Sequence, residues 1–380
     1  MPATSDDREP GGDGNRPTDS DLQSVSRDLH AAVSNSPRLI SLHLKNYTNN
    51  PAAIKRPSIL CAYRTKSPVP RVWPHPKRVI SLSPDLQPTN RDGELASRVI
   101  CSAGEIGVLL LGNETMSNPD FCLWNPATRL IRQLPDPYDY CVIANKAEIF
   151  NTYGVGFDPV SNDIKVVLLH SSHWDPPSSQ VLVYTLGSGC WKELEGVDGR
   201  YSIGSLTCHA TYFSGSLYWI CGSSEVSVVA FDLGTDSFSM ISCDFIHPFG
   251  YRRNEGLFIY RDSIALFGWD RDLSVGVWLL SSTGFGSGSS WIKHSTLPPW
   301  VGSLHPLVCL NENQFVGYCR KDPPTTFAYH SNAEADYLLQ LVLVDISGGA
   351  QVTVEVLRLI PSCLGIYGCF SYKETLVSLA

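Results

Sequence analysis

The sequence predicts an all-β fold, a six-bladed β-propeller, and three observations lead to it. Strand-like pairs joined by Gly, Asp or Pro turns recur along most of the 380 residues. An apolar residue at an equivalent position in each repeat returns after 47 to 66 residues, near the period of roughly 40–50 that is typical of propeller blades. Strand-like segments without a partner remain at both ends of the chain, as a ring that closes on itself requires. The equivalent positions are Trp124, Tyr184, Phe231, Trp278 and Val344.

The segment LWNPATRLIRQLP, residues 123–135, shows one strand pair in detail. Pro126 fixes its own φ and donates no hydrogen bond to a strand ladder, so the chain turns at this point. Asn125 suits the first position of a type I turn, because Pro is favoured at the second. Apolar residues flank the turn, Leu123 before it and Leu130 after it. The segment is therefore predicted to be a β-hairpin.

Each hairpin of this kind follows another hairpin, so the chain predicts complete blades of four strands, labelled A to D in chain order. Short turns join A to B and C to D, whereas long connections join B to C and D to the next A. Five complete blades are predicted in this way. They cover residues 98–135, 153–194, 209–241, 256–294 and 305–357.

Leftover strands predict a sixth blade made from both ends of the chain. Residues 58–64 and 78–83 are expected to supply its strands C and D, and residues 367–371 and 374–379 its strands A and B. Pairing of the N- and C-terminal strands would close the ring and remove exposed sheet edges.

The residues before the propeller divide into two segments. Residues 1–19 are polar and acidic and are predicted to be a disordered tail. Residues 20–37 contain one short amphipathic helix, and the propeller is expected to occupy residues 38–380. The apolar face of the helix consists of Leu22, Val25, Leu29, Ala32 and Val33.

Composition excludes several functional classes. The net charge of −8 argues against nucleic-acid binding. The chain has no apolar run long enough for a membrane span and no signal-peptide pattern at its start. None of the 12 Cys residues forms a CxxC pair or a zinc-type cluster. We therefore expect reduced thiols and a cytoplasmic or nuclear location.

Six segments, in this order, resemble the plant F-box-associated, kelch-like β-propeller domain. They are LWNPATRLIRQLP, YGVGFDPVSNDIKVV, GSLYWI, VVAFDLGTDSFSMI, SWIKHSTLP and YKETLVSL. The resemblance implies the substrate-receptor part of a cullin–RING ubiquitin ligase, in which an F-box binds a Skp-type adaptor and the propeller recruits a substrate protein. In this sequence we expect the F-box itself to be missing or truncated, because only the predicted helix within residues 20–37 precedes the predicted propeller. We therefore expect no adaptor binding by this chain.

The candidate catalytic, cofactor and metal motifs have simpler explanations. The glycines of residues 281–290 precede a strand, whereas a phosphate cradle needs a helix N-terminus. His170 and His173 lack a matched third ligand, so they are expected to be loop histidines. Asp158 and other strand-end aspartates, Asp232 and Asp345, are expected to accept hydrogen bonds from turn amides. The sequence thus predicts no catalytic residues, cofactor or metal.

Two functional classes remain open. The first is a non-catalytic module that recognises a substrate protein, and the alternative is a kelch-like propeller enzyme that acts on a carbohydrate or small molecule. Carboxylates converging in the central channel would favour the enzyme, whereas exposed aromatic and Arg side chains on one rim would favour recognition. We expect the partner to bind the rim that carries the long connections. The candidate residues there are Tyr138, Trp174, Tyr251, Arg252, Arg253, Trp269 and Trp300.

Overall fold

The structure is a computed structural model and describes the strands of the chain with the turns that join many of them. The described residues are 58–63, 79–81, 98–104, 106–112, 121–126, 128, 130–140, 149–172, 178–194, 209–221, 226–246, 256–260, 262–272, 274–281, 290–297, 304–311, 313–321, 338–348, 351–361, 366–372 and 379. The predicted acidic tail (1–19) and amphipathic helix (20–37) lie outside them.

Five four-stranded antiparallel sheets form where the hairpin pattern predicts them. Blade 1 consists of β3 (Arg98–Ala103), β4 (Val108–Gly112), β5 (Cys122–Asn125) and β6 (Leu130–Gln133). Blade 2 consists of β7 (Ile149–Asp158), β8 (Asp163–Ser172), β9 (Ser178–Thr185) and β10 (Cys190–Glu193). Blade 3 consists of β11 (Thr211–Phe213), β12 (Ser216–Cys221), β13 (Ser227–Asp232) and β14 (Ser237–Ser242).

Blades 4 and 5 follow the same order. Blade 4 consists of β15 (Gly256–Tyr260), β16 (Ser263–Trp269), β17 (Val275–Leu280) and β18 (Trp291–Leu297). Blade 5 consists of β19 (Leu304–Asn311), β20 (Gln314–Lys321), β21 (Leu338–Gly348) and β22 (Gln351–Pro361). The prediction of these blades and of their strand order is confirmed. The five equivalent positions lie on the third strand of each blade and are all buried: Trp124, Tyr184, Phe231, Trp278 and Val344.

The turns have the chemistry that the sequence predicts. In the β5–β6 turn the side-chain oxygen of Asn125 accepts a hydrogen bond of 3.4 Å from the Thr128 amide. In the β13–β14 turn Asp236 adopts a φ of 52°, a left-handed conformation that Asp tolerates better than most residues. Gly189 (φ 68°) and Gly215 (φ 83°) supply the same conformation in two other turns.

The hydrophobic core lies between neighbouring blades. One cluster joins blades 1, 2 and 3, and it includes Leu123, Val167 and Trp219. A second cluster joins blades 3 and 4, and a third joins blades 4 and 5. Blades 2 to 4 therefore have a neighbour packed on both faces, which explains why their central strands are apolar at consecutive positions.

The prediction of six four-stranded blades is wrong, because the structure has five. The remaining sheet has three strands in the order β2–β1–β23, formed by β1 (Ser58–Tyr63), β2 (Val79–Ser81) and β23 (Ile366–Tyr372). β23 pairs directly with β1, in the position predicted for residues 374–379. β2 is parallel to β1, which a hairpin cannot produce. The 15 residues between them include four prolines, which disfavour a tight antiparallel return.

Pairing between the two ends of the chain is nevertheless present. β1 and β23 are antiparallel, with Leu60 opposite Phe370. β23 also lies between β19 of blade 5 and β3 of blade 1, so the innermost strands of the six sheets follow one another in a ring. Leu379 is buried in the cluster of blades 1 to 3. The described C-terminal residues, β23 and Leu379, therefore pack against the blades.

Helix is scarce in the part of the chain that the structure describes. Its one helical element is a 3₁₀ turn, Pro137–Asp139, after β6. No helix among these residues is long and apolar enough to cross a bilayer.

Candidate partner-binding surface

The strand bounds give the propeller two different ends. At one end, called the turn end, short turns join the first strand of a blade to the second and the third to the fourth. At the other, called the loop end, longer connections join the second strand to the third and each blade to the next. Turn-end examples are 159–162, 186–189, 214–215 and 233–236, and loop-end examples are 134–148, 194–210, 243–255 and 322–337. The exception is 281–290, a long connection at the turn end.

Two of the seven predicted partner-binding residues lie among the described residues. Trp269 is the last residue of β16, and its half-buried side chain packs against the cluster of blades 4 and 5. Tyr138 is the middle residue of the 3₁₀ turn that follows β6. Trp174, Tyr251, Arg252, Arg253 and Trp300 lie outside the described residues. Trp269 and Tyr138 thus lie at the loop end, and a joint surface of all seven stays a prediction.

A well-defined part of the loop end lies where blade 3 meets blade 4. We define the loop-end patch as residues 243–246 after β14, residues 269–272 at and just after the end of β16, and Lys293 of β18. Ile246 forms an antiparallel bridge with Asp270, and the Arg271 amide donates a hydrogen bond of 3.2 Å to the Phe245 carbonyl. These contacts hold the connection after β14 of blade 3 against the connection after β16 of blade 4.

Aromatic packing and one ion pair hold the patch. The Phe245 ring lies 4.9 Å from the Trp278 ring between centroids. Lys293 Nζ lies 5.5 Å from the Trp278 ring centroid and 2.7 Å from Asp270 Oδ2. The hydrogen bond from Lys293 lowers the pKa of the Asp270 carboxyl, so the pair is charged at neutral pH. Gly276 allows this packing, because a Cβ there would lie 2.5 Å from the Trp278 ring.

Charged side chains are exposed around this packed base. Asp244, Arg271 and Asp272 are all exposed. They offer hydrogen-bond acceptors and a guanidinium donor on a backbone that is fixed by the bridge below them. Residues 247–255, which include three of the predicted partner-binding residues, connect this patch to β15. The arrangement suits recognition of another molecule by polar contacts.

A second polar cluster lies at the turn end, between blades 2 and 3. Lys165 Nζ lies 3.1 Å from Asp158 Oδ2 and 2.9 Å from Asp236 Oδ1, and it also donates to the Leu233 carbonyl. Burial alone lowers the pKa of Lys165, but the hydrogen bonds with Asp236 and Asp158 outweigh it and raise the pKa. We call this group the inter-blade latch. A lysine held by three acceptors is a fixed cation, so the latch is structural and not nucleophilic.

The prediction that strand-end aspartates accept hydrogen bonds from turn amides is confirmed at two of three positions. Asp158 Oδ1 accepts from the Val160 amide at 2.8 Å. Asp232 Oδ1 accepts from the Gly234 and Thr235 amides, both at 2.8 Å. At the third position, the Asp345 carboxylate accepts from the side-chain amide of Gln314 at 2.6 Å.

The innermost strands carry little ionisable chemistry. Among β3, β7, β11, β15, β19 and β23, the one carboxylate is that of Asp158, which the latch engages. Cys101 of β3 is fully buried and donates to the Ala210 carbonyl beside β11. Burial raises the pKa of this thiol to about 11, so it is protonated at neutral pH. These strands thus lack the converging carboxylates that would favour a propeller enzyme.

Metal ligation finds no support in the part of the chain that the structure covers. No group of three or more His, Cys, Asp or Glu side chains among those residues could hold a metal ion. His170 was expected in a loop, but it lies in β8 opposite Gln180. His173 lies outside the described residues.

Comparison with known proteins agrees with this architecture. The sequence profile of the F-box associated beta propeller domain matches residues 92–310, which is more than half of the chain. The chain belongs to the F-box associated beta propeller family. An F-box/kelch-repeat protein of Arabidopsis thaliana is 24% identical over 198 residues, which is 49% of this chain and 50% of that protein. A probable F-box protein of the same plant is 46% identical over 43 residues, 11% of this chain and 16% of that protein. The chain thus spans half the length or less of these relatives.

Solved structures with a similar backbone include a putative TolB from Agrobacterium tumefaciens. Its TM-score is 0.38 at 12% sequence identity, over 70% of this chain and 85% of that one. A six-bladed fungal lectin from Aleuria aurantia has a TM-score of 0.37 at 10% identity, over 67% of this chain and 74% of that one.

The match to the F-box associated beta propeller family begins before β3 and ends within β19. It therefore includes the loop-end patch and the inter-blade latch, although sequence reasoning found neither. One signal for the latch was available, because Lys165 interrupts the apolar strand segment IKVVLL. For the patch, the signal was the apolar pair Phe245–Ile246 directly after β14.

Proposed function

We propose that this F-box associated beta propeller is a non-catalytic protein-recognition module, the substrate-receptor part of a Skp–cullin–F-box type ubiquitin ligase. The observation that carries the proposal is the family match over residues 92–310. An F-box/kelch-repeat protein among the relatives supports the ligase context. The scarcity of carboxylates on the innermost strands supports a role in binding without catalysis.

The partner protein binds at the loop end in this proposal. Support comes from the loop-end patch, where Phe245, Trp278 and Lys293 form a packed base beneath exposed charged side chains. Rigid scaffolds with long connections commonly carry binding residues. Tyr138, Trp174, Tyr251–Arg253, Trp269 and Trp300 supply the aromatic and Arg side chains that dominate binding hot spots.

Two finer properties belong to the same proposal. The three-stranded sheet β2–β1–β23 closes the ring of five blades, which is supported by the position of β23 between β19 and β3. The protein works in the cytoplasm or nucleus with reduced thiols. Cys101 and Cys243 are buried cysteines that form no disulfide, which supports this location.

A comparison of variants in plant cells tests the proposal. The tagged chain and a variant with Tyr251, Arg252 and Arg253 all changed to Ala are captured after proteasome inhibition, and the bound proteins are quantified. We expect at least one protein that is captured by the unchanged chain and at least tenfold less by the triple variant. Ubiquitination of that protein should fall when the gene for this chain is deleted.

The matched control changes three charged residues away from the loop end, Arg132, Lys192 and Asp262, to Ala. This control should retain the bound protein. Equal capture by all three forms would move the binding surface away from the loop end. A bound protein whose ubiquitination does not depend on the gene would contradict the ligase role.

A further inference from the structure

Among the described residues, the outermost strands of the five blades differ in how well their own sequences protect their outer edges. Natural proteins protect sheet edges with charged residues, prolines or bulges, which oppose pairing with another chain. Arg132 lies in β6, Lys192 and Glu193 lie in β10, and Lys293 lies in β18 beside a register shift. β22 contains Glu355, Arg358 and Pro361 and pairs with two register shifts.

β14 has none of these protections. Its sequence, SFSMIS, contains no charge, glycine or proline. It pairs with β13 through six consecutive residues without a bulge, and it is the outermost strand of blade 3. An uncharged, regular edge of this kind is a template for strand pairing.

One face of β14 also carries an exposed apolar side chain. Phe238 and Met240 lie two residues apart and therefore share a face. Phe238 packs against the cluster of blades 1 to 3, whereas 58% of Met240 is exposed. A long apolar side chain is thus available beside the unprotected edge.

We propose that the edge of β14 binds an extended, uncharged segment of a partner protein as a fifth strand of blade 3. The main-chain groups of β14 supply the hydrogen bonds, and apolar side chains at alternate positions of the segment pack on Met240. Charge supports this occupant, because β14 itself carries no charge, so a charged side chain opposite its centre would give up hydration without an opposite charge from the strand. This edge is distinct from the loop-end surface of the proposed function.

The size of the edge favours a peptide segment over a second copy of the chain. Six residues span only ~20 Å, and one strand is ~5 Å wide. Stable interfaces between folded proteins bury roughly 1,200 Å² or more. An extended segment meets the edge with its whole length and requires no further surface.

A phage-displayed library of random ten-residue peptides supplies the probe. Peptides selected on the unchanged protein are synthesised, and their dissociation constants are measured for the Met240→Lys and Ile292→Lys variants. Ile292 is the matched control, because it is 59% exposed on β18, whose edge already carries charge and a register shift. Both positions are exposed, so both variants should melt like the unchanged protein.

We expect selected peptides to lack charge at their centre, to bind at least tenfold more weakly to Met240→Lys, and to bind Ile292→Lys unchanged. Amide exchange of Ser237–Ser242 should slow when peptide is bound. Equal binding by both variants, or protection only at the loop end, would overturn the proposal. Dimer formation abolished by Met240→Lys would overturn it in favour of self-pairing.

Discussion

Lys165 in blade 2 and Asp236 in blade 3 form an ion pair of 2.9 Å across the boundary between the two blades. The lysine side chain is 10% exposed, and it lies 3.1 Å from Asp158 of its own blade. Lys165 and Asp236 are 71 residues apart in sequence. Their contact fixes the position of one blade against the next at the turn end.

Removal of the lysine should destabilise the protein. Lys165→Met leaves Asp158 buried beside a second carboxylate without its cation, and loss of one partner of a buried pair typically costs ~3–5 kcal/mol. Because Asp236 is 30% exposed, we expect a loss near the lower limit, about 2–4 kcal/mol, in the free energy of unfolding by urea. Lys192→Met on the exposed strand β10 is the control and should change this free energy by less than about 0.5 kcal/mol. Equal values for the two variants would contradict a stabilising latch.

The latch should also give the stability a defined pH dependence. Burial raises the pKa of Asp158, but hydrogen bonds from Ser161, Val160 and Lys165 outweigh it and lower the pKa below 3.8. The stabilisation from Asp158 is therefore complete above pH 3.8 and is lost as the pH falls through the lowered value. The raised pKa of Lys165 preserves its stabilisation up to pH 10.5, above which it is lost.

Urea midpoints measured from pH 2 to pH 7 test this dependence, because the predicted loss lies below pH 3.8. The unchanged protein should lose more stability on acidification than Asp158→Asn, because the variant has no carboxylate to protonate at that site. Parallel pH profiles for the two proteins would show that Asp158 does not contribute.

Gly276→Ala should disturb the packing beneath the loop-end patch. The added Cβ would lie 2.5 Å from the Trp278 ring, and overpacking of this kind typically costs about 1–3 kcal/mol. A double variant, Gly276→Ala with Trp278→Leu, distinguishes a clash with the Trp278 ring from an effect of Ala on the backbone at position 276. If the added Cβ clashes with the Trp278 ring, Gly276→Ala should lower the free energy of unfolding by urea less in a protein that already carries Trp278→Leu. An unchanged cost would assign the effect to the backbone.

Deletion of residues 366–380 should open the ring. It removes β23, which pairs with β1, and Leu379, which is buried among blades 1 to 3. We expect aggregation or a drop in Tm of more than about 10 °C, because edges that pair in the full chain become free. Leu379→Ala isolates the buried side chain and should cost about 2–4 kcal/mol. A truncated protein that melts like the full chain would show that closure by β23 is dispensable.

Co-expression with a Skp-type adaptor tests the ligase connection of this chain directly. The segment within residues 20–37 is predicted to be one short amphipathic helix, and helices of this length are marginal without packing partners. We expect the chain and the adaptor to elute separately on size-exclusion chromatography. The positive control is an F-box/kelch-repeat relative with the same adaptor. A stoichiometric complex of adaptor and this chain would show that the helical segment suffices.

Several structural outcomes could be predicted because they depend on neighbouring residues. Asn125-Pro126 marks a turn through the fixed φ of proline, and alternating apolar residues mark the strands around it. The order of strands within blades 1 to 5 followed from these hairpins alone. Pairing of the two chain ends was also predicted, but the three-stranded form of the closing sheet was not, because β1 pairs both with the nearby β2 and with β23, more than 300 residues away.

Within the candidate site, Trp269 at the end of β16 could be expected at the loop end, because connection lengths alternate along the chain. The contact of Ile246 with Asp270 could not, because it joins two connections whose relative position depends on how blades 3 and 4 pack. The same holds for Trp278 of β17, which packs against Phe245 from the connection after β14 and lies near Lys293 of β18.

The sequence by itself determined the all-β class, the five four-stranded blades and the contrast between short turns and long connections. These depend on backbone restrictions of Pro and Gly and on apolar alternation, which act over a few residues. The tertiary structure alone decided that Lys165 is held by carboxylates from two blades, that Phe245 covers Trp278, and that the last sheet has three strands. The physical reason is that burial and pairing between distant residues depend on the packing of whole blades, and no local pattern records that packing.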